Sequence, residues 1–192
     1  MTWREHIQFV TKKLSKAIGV LYRLRPYVNS DILRNVYYAI IYSHLNYGIS
    51  SWGSALPTDL EPLQVKQNHS IRIVYDLDRR HNRNNMYFTN KLLKINEIYH
   101  SVLLQFLHKF HNNNLPPAFD RYFGYASDVH RYNTRYASNF NFHVQRTHNN
   151  YGTRAPCNLS TRLWSQITPD SKSLSEKRFK IYIFNFLLSR YN

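Results

Sequence analysis

Apolar residues recur every three or four positions along five stretches of the chain, a period that predicts five long helices. In the first, residues 2–25, Trp3, Ile7, Val10, Leu14, Ile18, Leu21 and Leu24 form one stripe, as on a helix that buries one face. Thr2 and Glu5 have the spacing of a capping box, and Pro26 ends the helix because proline disfavours helical geometry in the residue before it. A second helix is predicted over 31–45 from an N-cap at Ser30. Leu33, Val36, Tyr37, Ile40, Ile41 and His44 point inward, and Gly48 is its left-handed stop. Thr58 and Glu61 repeat the capping box before a helix over 58–75 carrying Leu60, Leu63, Gln67, Ile71 and Val74. The clearest period lies in 97–111, through Ile98, Val102, Leu103, Phe106, Leu107 and Phe110. Ser173 and Glu176 are placed to cap a last helix over 175–190.

Between these stripes the pattern breaks. Residues 76–86, "DLDRRHNRNNM", are polar and basic and read as a loop, with a short helix predicted at 90–93. "NNNLPPAF", 112–119, divides a helical region, 1–111, from an irregular basic and aromatic region, 112–192, that ends in the last helix. Within it "FNFHVQ", 140–145, alternates like one short strand, so a small strand pair is the most this region is expected to hold, and 159–167 predicts a short helix. The predicted fold class is mainly α: a helical bundle followed by a less regular C-terminal part. The run "IIYSHLNYGISSWG", 40–53, is a helix end turning a corner. From residue types alone it reads as a packed corner, a base-stacking platform or a small-ligand pocket.

Composition narrows the class. Only 5 glycines in 192 residues argue against a barrel or sandwich. The formal charge of +15, from 26 Lys and Arg against 11 Asp and Glu, favours a polyanionic partner. Cys157 is the sole cysteine, which excludes an internal disulfide and a cysteine-rich zinc site and favours a reducing compartment. No apolar run reaches the length of about 18 residues that a membrane span requires, and the N-terminus does not read as a secretory signal. The expectation is a soluble intracellular protein of nucleus or cytoplasm.

Most catalytic chemistries find no support. Two-metal phosphoryl transfer needs clustered carboxylates, and Asp76 and Asp78, in a predicted loop, are the nearest approach. His108 and His111 share a helix face with His100 two turns earlier, but a zinc site needs further ligands at defined spacing, so these read as capping or exposed histidines. Cys157 has no visible base, and no glycine-rich phosphate loop occurs.

Basic residues interleaved with aromatics remain. Lys12, Lys16 and Arg23 fall on the face of the first helix opposite its apolar stripe, with Lys13 and Arg25 at the flanks, as a phosphate-tracking surface or an ordinary solvated face. "RYNTRY", 131–136, offers Arg131 and Arg135 to phosphate and Tyr132 to a base, or is a structural loop. The last helix is apolar nearly all round: Phe179, Tyr182, Ile183 and Phe186 on one side, Ile181, Phe184 and Leu188 on the other. Such a helix is buried in its own chain or docks on a partner.

Seven segments, in this order, resemble the C-terminal part of the reverse transcriptases of non-long-terminal-repeat retrotransposons, in particular the jockey-like group of animal genomes. They are "TWREHI" (2–7), "KLSKAIGVLYRLRPYV" (13–28), "SHLNYGISSWG" (43–53), "LQVKQNHSIRIV" (63–74), "YNTR" (132–135), "LWSQI" (163–167) and "RFKIYIFNFLL" (178–188). The resemblance covers nearly the whole chain. It implies that "TWREHI" follows the last strand of a catalytic palm and that the next helices resemble the polymerase thumb. It also implies that 43–53 is a packing corner with Tyr47 and Trp52 buried. The family's paired aspartates have no counterpart here, so the expectation is a truncated copy, a split gene model or a remnant. It would bind a primer–template duplex or RNA without polymerase activity of its own and hold no cofactor, since Mg²⁺ belongs to the missing palm, which another chain would have to supply. The competing reading is a non-catalytic interaction remnant that docks through its last helix.

Overall fold

The first helix is set by its apolar stripe. In the computed structural model, which describes residues 3–129, 132 and 134–191, α1 spans Arg4–Leu24 and buries Ile7, Val10, Leu14, Ile18 and Leu21. Thr2 of the predicted capping box lies outside the described residues, and Trp3 at the N-cap makes no side-chain cap bond. After the turn at Pro26, Asn29 rather than Ser30 caps α2 (Ser30–Tyr37), accepting from the Ile32 amide at 3.0 Å.

A π-helical segment, Tyr38–Tyr42, joins α2 to α3 (Ser43–Asn46). The buried residues Leu33, Tyr37, Ile41 and Leu45 follow one another at steps of four. A step of four drifts about 40° on an ideal helix, and the wider π turn offsets part of that drift. Gly48 then takes the left-handed conformation (φ 62°) before the single turn α4 (Ile49–Trp52).

Helix α5 spans Pro57–Tyr75. Its proline sits at the first helical position, so the predicted cap residue Thr58 falls two residues past the N-cap Leu56, and no side chain caps the helix. It lies along α1 in parallel: Arg4 bonds Asp59 near the start of both helices, and Arg25 pairs with Asp76 at the end of both. Gln67, predicted on the apolar stripe, is fully buried and satisfied. It donates to the Leu93 carbonyl (2.9 Å) and the Tyr37 hydroxyl (3.2 Å) and accepts from the Tyr87 hydroxyl (3.0 Å).

The predicted loop 76–86 is shorter than expected. Asn82 accepts from the amides of Asn84 and Asn85 and so starts α6 (Arg83–Thr89), and the helix predicted at 90–93 is a turn. Helix α7 follows over Ile95–His111.

Two compact units result, Met1–Tyr99 with Leu188–Asn192, and His100–Leu187. The division runs through α7, whereas the predicted change of character at 112–119 marks where long helices give way to short ones. These are a 3₁₀ turn (Pro117–Phe119), α8 (Ala126–Val129), α9 (Arg135–Ser138), α10 (Asn150–Arg154), α11 (Pro156–Trp164) and α12 (Pro169–Lys172). Thr134 and Asn149 cap α9 and α10, so the polar residues that read as loop are in part helix caps. Ser173 does not open the last helix: its hydroxyl bonds the Asp170 carbonyl and closes α12, and α13 begins at Glu176 and runs to Leu188.

The predicted strand at 140–145 shrinks to one antiparallel bridge, Tyr125↔Phe142. Phe140 has φ 54°, incompatible with an extended strand, so pairing starts only beyond it. Aromatic side chains fill the second unit: Phe142, Trp164 and Phe179 are buried together, and His108 stacks on Phe179 with ring centroids 4.0 Å apart. About 70% of the structure is helical, as the periodicity predicts. No described helix is long and apolar enough to cross a membrane.

Candidate nucleic-acid interface

With its apolar stripe buried, α1 presents the other side to solvent. Lys12, Lys13, Lys16 and Arg23 are exposed, and among the described residues none of them is in an ion pair. Lys12 and Arg23 are eleven positions apart, about 16 Å along the axis. The Lys13 ammonium lies 4.6 Å from the centre of the exposed Phe9 ring, which leaves its charge at the surface. Arg25 differs. Its guanidinium is committed to Asp76, so the fifth predicted cation of α1 anchors this helix to the end of α5.

Beside the stripe, an open cleft of about 310 Å³ is lined by Arg4, Gln8 and Lys12 of α1 and Thr58, Asp59 and Pro62 of α5. Asp59 is engaged by Arg4 at 3.4 Å, which leaves Lys12 as the unpaired charge of the cleft.

Of the two predicted cations in 131–136, Arg131 lies outside the described residues. Arg135 is exposed at the first position of α9 in the second unit. Tyr132 is exposed, but Tyr136 donates its hydroxyl to the Phe142 carbonyl at 3.1 Å and is structural.

The corner at 43–53 corrects one expectation. Trp52 is buried as the resemblance implies, and its indole donates to the Tyr47 carbonyl at 2.9 Å. The Tyr47 side chain is 80% exposed, not packed, because residue 47 is extended and turns its ring outward as its carbonyl turns in.

The carboxylates singled out in the sequence, Asp76 and Asp78, have structural roles. Asp76 occupies the left-handed C-cap of α5 and pairs with Arg25, and Asp78 accepts from the Arg79 amide at 2.7 Å. No group of three His, Cys, Asp or Glu able to hold a metal occurs among the described residues. His108 donates from Nε2 to the Leu174 carbonyl at 2.8 Å. Burial pushes its pKa down, against the raising effect of that carbonyl and Glu176. His111, beside the Tyr125 hydroxyl at 2.9 Å, is pushed down by burial, then by His108 and Lys172. His108 is a core histidine rather than an exposed or capping one, and His111 is half-buried.

A further set of cations lies outside those predicted: Lys66, His69 and Arg72 on α5 and Arg79 beyond its end. Burial lowers the His69 pKa, and Lys66, Arg79 and Arg72 lower it further. Their spacing of three along α5 was the available signal.

No family model, no curated protein and no solved structure matches this chain.

Proposed function

We propose that this chain is the nucleic-acid-binding C-terminal part of a jockey-like non-long-terminal-repeat retrotransposon reverse transcriptase, without the catalytic palm. The observation that carries the reading is the exposed row Lys12, Lys16 and Arg23 on α1, held outward by a buried opposite face. A helix of 21 residues, about 32 Å, is as long as one turn of duplex. Cations set along it meet successive phosphates, which position a duplex without reading its sequence.

Duplex binding should therefore be weakly sequence-dependent and fall steeply with salt. Changing Lys12, Lys16 and Arg23 together to Gln should lower the log–log salt slope by about 2 to 3, near 0.9 per lost contact. The helix survives, since Gln is almost as good a helix former as Lys or Arg. An unchanged slope in the folded triple variant would make the row a solvated face.

The interaction-remnant reading has less support. Phe179, Ile183, Leu187 and Leu188 of α13 are already buried in this chain, and Ile181 is its one strongly exposed apolar residue. Polymerase chemistry is not part of the proposal, because the acids are spread along the chain and Asp76 and Asp78 are structurally engaged. Primer extension by the purified chain with Mg²⁺ and nucleotides should give no product above that of a mock preparation. Extension that persists above that control refutes this.

A further inference from the structure

We infer that the strip of α5 carrying Lys66, His69 and Arg72, with Arg79 in the turn beyond, is a second phosphate-binding surface that takes the backbone of a nucleic-acid strand. The identity of the strand rests on the function proposed above, but the site itself rests on its own geometry.

Residues at i, i+3 and i+6 step round one side of a helix by about 60° each. Lys66, His69 and Arg72 therefore form a short oblique row with His69 at its centre, half-buried Lys66 and Arg72 flanking the exposed imidazole. The chain leaves α5 through the left-handed Asp76 and turns back, with the Leu77 amide on the Arg72 carbonyl (3.0 Å) and the His81 amide on the Asp78 carbonyl (3.2 Å). That reversal carries the exposed Arg79 back toward the end of α5, and its charge is among those that lower the His69 pKa.

Three cations thus act on one imidazole, and no carboxylate is among the groups that shift it. The two acids of the turn are turned elsewhere: Asp76 to Arg25, Asp78 to the backbone of Arg79. Crowded like charges cost folding stability, and no carboxylate among the groups acting on His69 relieves them. Phosphate oxygens relieve that crowding. They accept from Arg72 and Arg79 in short charge-assisted bonds and favour the protonated form of His69, which then becomes a further donor. The row from Lys66 to Arg72 covers about 9 Å, too long for one phosphate to touch every group. Repeated phosphates along a strand fit it better than a single ion.

The test follows the His69 ring by NMR in the full chain, with ionic strength held constant by chloride. One arm adds a short DNA duplex, the other inorganic phosphate. With duplex, the His69 pKa should rise to its ordinary value or above, while the rings of His108 and His111 stay unchanged. Inorganic phosphate should move it little. The Lys66→Gln, Arg72→Gln, Arg79→Gln variant should lose the rise and bind duplex about tenfold more weakly at about 0.1 M salt. Arg79→Gln alone, in the turn and outside the helix, should lose part of it without risk to folding. The α1 triple variant should keep the His69 response at saturating duplex. Salt-sensitive duplex binding that leaves the His69 pKa unmoved overturns this inference and leaves the proposed function standing. A His69 response to inorganic phosphate in a chain that does not bind duplex overturns the strand as occupant, and with it the proposed function. Equal responses to chloride and to duplex overturn the site.

Discussion

Gly53→Ala should destabilise the first unit by about 3 kcal/mol, the upper end of the cost of overfilling a packed site. The backbone at Gly53 is ordinary (φ −65°), so the cost is steric. A methyl group there would lie 2.4 Å from Cδ2 of Tyr99 and 2.6 Å from the Ile49 carbonyl oxygen. Neither gives way readily: Tyr99 is buried, and the carbonyl belongs to the helical turn that Gly53 closes. Gly48, five residues earlier, is the contrasting case. A Cβ there meets nothing nearer than 3.9 Å, and the φ of 62° alone opposes a side chain. Gly48→Ala should therefore cost only about 1 kcal/mol, and Gly48→Asn less, because Asn tolerates the left-handed region. Urea unfolding of the three variants checks the order. A Gly53→Ala midpoint equal to that of Gly48→Ala would mean that the corner is loosely packed.

That corner shows how far the sequence can be read. Periodicity located α1, α5, α7 and α13 to within a few residues, because each buries one stripe and the stripe is written at a spacing of three and four. Gly48 was legible as a left-handed stop for the same local reason. The direction of Tyr47 was not: it depends on Trp52 claiming the Tyr47 carbonyl, which no local pattern encodes. Gln67 fitted the apolar period of α5, but its partners Tyr37, Tyr87 and Leu93 are distant in sequence, so only the fold reveals that the position is polar and satisfied. Helix α6 was hidden because its signal is one capping residue, Asn82, within a basic run that has no period.

The candidate site divides in the same way. The α1 cations follow from the wheel opposite the buried stripe, and four of the five are exposed. Arg25 falls out because Asp76, far along the chain, reaches it. The α5 row has a regular spacing, but its fourth member, Arg79, returns only because Asp76 adopts a left-handed conformation that a non-glycine residue rarely takes.

Lys172 should make the second unit more stable as pH rises from 7 to 9.5, by about 2 kcal/mol. Its side chain is 1% exposed, and burial lowers its pKa to about 8 from an ordinary 10.5. Between those two values the unfolded chain holds a proton that the folded chain has released, so raising the pH favours folding. At neutral pH the buried charge costs about 3 kcal/mol. The amine is retained because of what it ties. Nζ donates to the Asn139 carbonyl (2.8 Å) and Asn141 Oδ1 (2.7 Å) and lies 5.3 Å from the centre of the Trp164 ring. Those bonds hold the turn in which Phe140 takes a positive φ and its carbonyl accepts the Trp164 indole at 3.0 Å. The neighbouring groups leave the window clear. Burial lowers the pKa of His108 and His111, so they add stability in the same direction as pH rises through the ordinary histidine range near 6.5 and little well above it. Burial raises the pKa of Tyr125 and Tyr136, so they oppose folding only as pH passes about 10. Lys172→Met removes the buried charge but leaves two acceptors unmet, so the two effects nearly cancel at pH 7. At pH 9.5 the neutral amine still donates, and the parent chain should be the more stable by about 2 kcal/mol. Urea unfolding of both chains across this range measures the difference directly, and parallel curves would show that water reaches the amine.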